Sequence, residues 1–201
     1  MHQTALKPIK SALEPGKVYR RRDLVKFSSN LDRYLPKLVA EGVLRKLRRG
    51  LYACPADTAF GEAPPDEQRL LKTFLKDDHF VVFSLSVFNS LGLGTTQLYN
   101  QRIVVNRKRH GEFVLGERAY FFHRRREVPS SKQLTTEYFV IELLNRLNEL
   151  AEDQDAVLTR LKEKLVTFDT KRLLYAKKHY ATYSAQLKLD KIYDRGMRHA
   201  A

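Results

Sequence analysis

Apolar positions in the first quarter of the chain come in short groups whose spacing changes from helical to alternating. Ile9 and Leu13 lie four apart and stop at Glu14-Pro15-Gly16, which predicts a short helix and its end. Val18 and Tyr19 suit a short strand, and Leu24 and Phe27 in "RRDLVKF" a brief second helix. "SSN" then makes a polar turn rich in N-capping side chains. Leu31, Leu35, Leu38 and Val39 fall at i, i+4, i+7 and i+8, one face of a third helix with Gly42 as its C-cap. Val43, Leu44 and Leu47 next alternate with cations up to "RRG", and Leu51 and Tyr52 return toward the core, the pattern of a two-stranded hairpin. Helix, strand, helix, turn, helix, hairpin is the order of a winged helix-turn-helix. Pro36 sits inside the third helix, where it lacks a backbone donor, so that helix is either kinked there or begins only near Leu35.

"PADTAFGEAPPDEQ" interrupts the periodicity with three prolines and a glycine. The expected organisation is therefore a DNA-binding domain at 1–55, a linker at 56–65 and a second domain at 66–201. In that second part "DEQRLLKTFL" reads as a helix, and "FVVFSLSVFNSLGL" as a strand that becomes helical. Ile103–Val105, Phe113–Leu115 and Ala119–Phe122 read as strands of a small antiparallel sheet. Thr135 and Thr136 cap "EYFVIELLNRLNEL", whose expected buried face is Phe139, Leu143, Leu144, Leu147 and Leu150; further helices follow through "AVLTRLKEKLVTF" and "TKRLLYAKKHYATYSAQL". The fold class is α+β: an N-terminal winged helix-turn-helix, then a larger α+β domain with a small antiparallel sheet and a C-terminal helical bundle.

Charge sharpens this picture. The chain carries 37 Lys and Arg against 23 Asp and Glu, a formal net charge of +14, which favours a polyanionic partner. Residues 1–53 hold 13 of the cations and only 4 carboxylates. In a winged helix the third helix reads the major groove while the hairpin follows the phosphate backbone. Arg45, Lys46, Arg48 and Arg49 on the hairpin, with Arg20, Arg21 and Arg22 before it, are the expected phosphate contacts; a solvated hairpin whose charges guard an edge strand is the alternative. Ser29, Asn30, Arg33, Tyr34 and Lys37 are the outward residues of the third helix. Arg33 is the first choice to read a guanine and Asn30 an adenine, while Asp32 complements the helix dipole. A second basic patch is expected where Arg107, Lys108 and Arg109 meet Arg124, Arg125 and Arg126 at the ends of neighbouring strands; two separate solvated loops are the alternative. Tyr175, Tyr180, Tyr183 and Tyr193 interleave with lysines and arginines, either as a single-strand binding surface or as core-closing tyrosines of amphipathic helices.

Several functional classes are disfavoured. One cysteine, Cys54, permits neither an internal disulfide nor a sulfur-rich metal site, so no metal or other cofactor is expected. No P-loop, HExxH or Gly-x-Ser-x-Gly motif is present, nor a Gly-Ser pair of the kind a nucleotidyltransferase uses; the expectation is a non-enzyme. No run approaches the roughly 18 apolar residues of a membrane span. With no apolar signal core in "MHQTALKPIK", a cytoplasmic location and no membrane partner are expected.

"GKVYRRRDL" followed by "LPKLVAEGVLRKLRRGLYACP" resembles the N-terminal winged helix of the AbiEi-type antitoxins of bacterial abortive-infection and toxin–antitoxin systems, over about Pro15 to Pro55. "SLSVFNSLGL", Ser84 to Leu93, is similar to the segment that opens the family's C-terminal domain, with Val87 and Phe88 where a small residue is usual. The strands around "QRIVVNRKR" and "RAYFFHRR" and the helix of "LTTEYFVIELLNRL" follow the same order. The resemblance implies a transcriptional repressor that binds its own operator as double-stranded DNA and counteracts a nucleotidyltransferase-type toxin through its C-terminal domain. A winged-helix regulator with an unrelated partner or ligand, and an RNA-binding protein, are the alternatives.

Overall fold

The computed structural model describes residues 6–59 and 61–197, with side chains to 193. The chain forms two compact units: Met1–Asp78 together with Glu112–Tyr120, and His79–Gly111 together with Phe121–Ala201.

In the first unit, α1 (Lys7–Ala12) buries Ile9 completely, and β1 (Val18–Arg20) leads directly into α2 (Arg21–Leu24). The backbone N–H of Arg20 donates to the Asp23 carboxylate at 3.2 Å, a first-turn acid closing the helix start. After a single 3-10 turn, Val25–Phe27, the chain enters α3 (Leu31–Ala40). Leu31, Tyr34, Leu35 and Leu38 are buried along its inner stripe. β2 (Arg45–Arg48) and β3 (Leu51–Ala53) form the hairpin, and the sheet order is β1-β3-β2 with both pairings antiparallel. Arg48 opposes Leu51, so Arg49 and Gly50 make the turn; Gly50 has φ of +75°, which disfavours a side chain there. Residues from α1, α2, α3 and one face of the sheet close a core with Ile9, Leu24, Leu38, Leu44, Tyr52 and Cys54.

The first unit does not stop at Pro55. Where the composition predicts a linker, β4 (Ala56–Thr58) and β5 (Gly61–Ala63) pair as a small hairpin, with the Thr58 hydroxyl donating to the Gly61 carbonyl at 2.7 Å. α4 (Glu67–Leu75) follows, capped by the Asp66 carboxylate, which accepts from the Arg69 N–H at 2.8 Å. Its face of Leu70, Leu71, Phe74 and Leu75 is buried and packs on β1. The Arg20 guanidinium reaches the carbonyls of Thr73 and Phe74 in its last turn, where a helix leaves acceptors unpaired and favours positive charge. These contacts put residues 66–75, expected in the second domain, into the first unit. Residues 112–120 belong there too: the Gly116 N–H donates to the Leu47 carbonyl at 2.9 Å, and a Cβ on Gly116 would stand 3.3 Å from the Leu47 side chain.

The second unit begins with β6 (Phe80–Ser84), which pairs antiparallel with β7 (Arg102–Asn106) after an intervening 3-10 segment, Leu85–Leu91. β8 (Gly111–Leu115) and β9 (Arg118–Arg124) take residues 112–120 from the first unit, and the strand order is β6-β7-β9-β8. Four helices follow: α5 (Thr136–Arg146), α6 (Gln154–Lys164), α7 (Thr170–Tyr180) and α8 (Tyr183–Met197). The architecture is mixed α+β.

α5 lies at the centre and packs against α7 and α8, and it is buried nearly all round rather than along one face. That burial takes in charge. Glu142 is 1% exposed and Arg146 2%. The Glu142 carboxylate accepts from the Tyr138 hydroxyl at 3.2 Å and lies 3.6 Å from the Arg146 Nε and 4.0 Å from an Arg125 terminal nitrogen. Burial, followed by the Glu142 charge, pushes the Tyr138 phenol far above its ordinary range, so it stays protonated and donates.

Removing the carboxylate would leave the half-buried Arg125 without a counter-charge and the buried Arg146 with only Glu149, at 3.5 Å from a terminal nitrogen. Glu142→Ala is expected to lower stability by about 3 to 5 kcal/mol, read as the shift of the urea or thermal midpoint by circular dichroism. An unchanged midpoint would show that the arginines find compensation elsewhere.

Candidate nucleic-acid interface

α3 starts at Leu31, with Asn30 at its N-cap position, and runs through Pro36 to Ala40. Of the two expectations for this helix, a late start near Leu35 is not what is found. Pro36 sits on the exposed side, where the carbonyl its missing N–H would have bonded, that of Asp32, faces water rather than core. Ser29, Asn30, Arg33 and Lys37 are all exposed, and Asn30, Arg33 and Lys37 share one face by their spacing of three and four. Tyr34 is not among them: it is 6% exposed, because position 34 falls in the same buried stripe as Leu31, Leu35 and Leu38.

The Asp32 side chain does more than complement a dipole. Arg21 donates to both of its oxygens, through Nε at 2.7 Å and through a terminal nitrogen, so a fork-to-fork pair joins the start of α2 to the start of α3. This bond holds the Asp32 carboxyl below its ordinary range and raises Arg21.

The seven cations expected to meet phosphate therefore divide. Arg20 turns inward to the α4 carbonyls and is removed from the outer face. Arg21 is held by Asp32. Arg45 is shared between Glu62, at 3.4 Å, and Glu117. The Arg48 guanidinium lies over the Phe113 ring at 4.8 Å and the Phe74 ring at 5.9 Å, and those two rings meet edge to face at 5.4 Å. Arg22 stays 63% exposed, with only Asp23 nearby at 3.6 Å. Lys46 on β2 and Arg49 in the hairpin turn are exposed and have no ion-pair partner among the described residues. The surface left for an anionic ligand is the outer face of α3, Arg22 and these two hairpin residues.

In the second unit, sequence reasoning missed the residue that organises the other basic cluster. Asn106, 1% exposed, accepts from the N–H groups of Lys108 at 2.8 Å and Arg109 at 2.7 Å, and donates to the Arg109 carbonyl at 3.0 Å. Its own carbonyl accepts from the Arg125 N–H at 2.7 Å. The 107–109 turn and the end of β9 are thereby joined, which brings Arg107, Lys108 and Arg109 beside Arg124 and Arg126, all exposed. Arg125 points the other way, toward Glu142 and the Tyr180 carbonyl at 3.5 Å, and leaves the expected patch. Next to it, burial and then the charges of Arg146, Arg125 and His110 push His123 down to about 3, so its ring is neutral at physiological pH. An asparagine ending a strand before a cationic turn was the available signal for this arrangement.

Other polar residues have structural duties. Glu152 accepts from the N–H groups of Thr96 and Gln97, each at 3.1 Å, and Asp153 caps α6. Cys54 is buried in the first core, and burial raises its thiol above the ordinary value. Among the described residues, no helix is long and apolar enough to cross a membrane.

Neither a known family model nor any curated protein matches this sequence. The fold is similar to that in the crystal structure of the Rv2827c protein from Mycobacterium tuberculosis, with a TM-score of 0.56 at 15% identity over 96% of this chain and 77% of that one. At that identity the likeness is one of fold.

The division of the hairpin cations is open to measurement. Arg48→Ala, which removes the guanidinium from between two rings, is expected to destabilise the protein by about 0.5 to 1 kcal/mol, whereas Lys46→Ala leaves the thermal midpoint where it was. Equal midpoints for the two variants would place Arg48 in solvent.

Proposed function

We propose that this chain is a DNA-binding transcriptional repressor whose first unit works as a winged helix on its operator, and that it is the antitoxin of a nucleotidyltransferase-type toxin. What carries the reading is one observation: a ten-residue helix with Asn30, Arg33 and Lys37 on its open face, followed directly by a hairpin that carries Lys46 on its first strand and Arg49 in its turn without carboxylate partners. The helix has the dimensions and side chains for a major groove, and the hairpin those for adjacent phosphates. The excess of 13 cations over 4 carboxylates in residues 1–53 supports an electrostatic contribution to such binding. The antitoxin role rests on the resemblance of Pro15–Pro55 and Ser84–Leu93 to AbiEi-type proteins; growth of cells co-expressing the full chain with a nucleotidyltransferase encoded beside it tests that part.

Two substitutions separate the roles within the interface. The double variant Lys46→Ala/Arg49→Ala should weaken binding to specific and random duplexes alike, and should reduce the slope of log K against log salt by about 2, roughly 0.9 per phosphate contact. Titrations by fluorescence anisotropy at several salt concentrations measure it, and an unchanged slope removes the hairpin from the interface. Arg33→Ala should instead relax preference at one base pair by about 1 to 3 kcal/mol while random-duplex affinity holds. Selection from a random duplex library reads this out; identical preferred sequences for the variant and the parent would exclude Arg33 as a base reader.

A further inference from the structure

The second unit contains a cavity of about 310 Å³ between the 3-10 segment Ser131–Gln133 and the first two turns of α7. That is the lower end of the range for small-ligand pockets, roughly 300 to 1,000 Å³. Three cations line it, Lys132, Lys171 and Arg172, and no carboxylate does. Lys132 and Lys171 are exposed and have no ion-pair partner among the described residues. Arg172 is exposed, with Asp169 at 3.8 Å from its Nε and Glu137 within electrostatic reach. Asp169 and Glu137 offset part of this charge, and three cations against two carboxylates still leave the cavity net positive and favourable to an anion.

One turn further along α7 from Lys171 and Arg172 stands an aromatic ring, Tyr175, that is held in place from two directions. The Tyr175 hydroxyl accepts from the Gln133 side-chain amide at 2.8 Å. The other end of that amide is fixed in turn by the Ser130 N–H at 2.8 Å and hydroxyl at 2.9 Å. One face of the Tyr175 ring stacks on His179, with centroids 4.2 Å apart and planes at 27°. His179 is itself anchored on the Glu127 carboxylate at 2.7 Å. The ring remains 44% exposed where it lines the cavity, and Tyr180 stands at 6.2 Å from it in an edge-on arrangement. A fixed, half-open aromatic face beside three cations on flexible stems fits a flat ring joined to a phosphate: the face stacks a base at little entropic cost, and the cations gather around the negative charge. An anion alone would have no use for the fixed ring, and an acidic peptide no use for its flatness.

We infer that this cavity is a nucleotide-binding site, with the base stacked on Tyr175 and the phosphate held by Lys132, Lys171 and Arg172. The same chemistry is offered by a free nucleoside phosphate and by one unit of a single-stranded nucleic acid. This site is separate from the duplex interface proposed above and does not depend on it.

Calorimetric titration of ADP and of a 5′-phosphorylated oligo-dT octamer into the full chain tests the inference. Saturable binding of at least one of them is expected, weakened tenfold or more both in Lys171→Ala/Arg172→Ala and in Tyr175→Ala. Tyr175→Phe, which keeps the ring and loses only the Gln133 bond, should stay within a few-fold of the parent, and Tyr175→Leu, which keeps apolar bulk and loses the flat face, carries the test of the ring if the alanine variant fails to fold. Tighter binding of ADP identifies the free nucleotide as the ligand, and tighter binding of the octamer the strand. Lys46→Ala/Arg49→Ala should bind both probes like the parent, so failure of the duplex reading and failure of this one are distinguishable. Three results would overturn the inference: no saturation by either probe at millimolar concentration, binding indifferent to both Tyr175→Ala and Lys171→Ala/Arg172→Ala, or inorganic phosphate binding as tightly as ADP.

Discussion

Carboxylates are outnumbered in this protein, 23 against 37 lysines and arginines, and the way they are placed decides which cations remain available. Asp32 takes Arg21, Glu62 and Glu117 take Arg45, Asp190 takes Lys177, and Glu142 takes Arg125 and Arg146. The exposed pairs among these, those of Asp32, Glu62, Glu117 and Asp190, do little for stability, but they fix long side chains in one direction. Where no carboxylate is paired, as at Lys46, Arg49 and Lys132, the positive charge stays with the solvent. Positive surface is thus defined by omission of the acidic partner as much as by addition of the basic one.

The same shortage has a different meaning inside. Glu142 faces two guanidiniums at the centre of the second unit, and the Tyr138 hydroxyl adds the hydrogen bond that a charge removed from water requires. Asn106 does comparable work without charge, because one amide satisfies both N–H groups of a tight turn and returns a donor to its carbonyl. Asn106 sits behind the exposed arginines of the 107–109 turn, whereas Glu142 draws its own two arginines inward.

Much of the fold was legible because its helices and strands obey simple periods. Leu31, Leu35 and Leu38 mark α3 correctly, and the alternation around Leu47 marks the hairpin. Tyr34 was placed outward because tyrosine is at home on either side of a helix surface; only the packed stripe decides. The cation clusters were also visible, but not their division. Arg20 bonds to carbonyls 53 and 54 residues away, and Arg125 to one 55 residues away, and no local pattern encodes such reach. The stretch at 56–65 reads as a linker since prolines and small residues break every period, yet two three-residue strands and one threonine hydroxyl suffice to order it. The fixed tyrosine of the cavity depends on Gln133 and His179, distant in sequence from one another and unremarkable alone.

The path of the chain carries a last consequence, from the return of residues 112–120 to the first unit. The backbone passes between units after Asp78, after Gly111 and after Tyr120, so neither unit is a continuous stretch of gene. A single recombination event between two related genes cannot exchange one unit whole and leave the other whole: wherever the crossover falls, at least one core is assembled from two parents. Such mosaics survive only when both halves of that core already fit. The two units are therefore expected to be inherited together, and their sequences to drift as a pair.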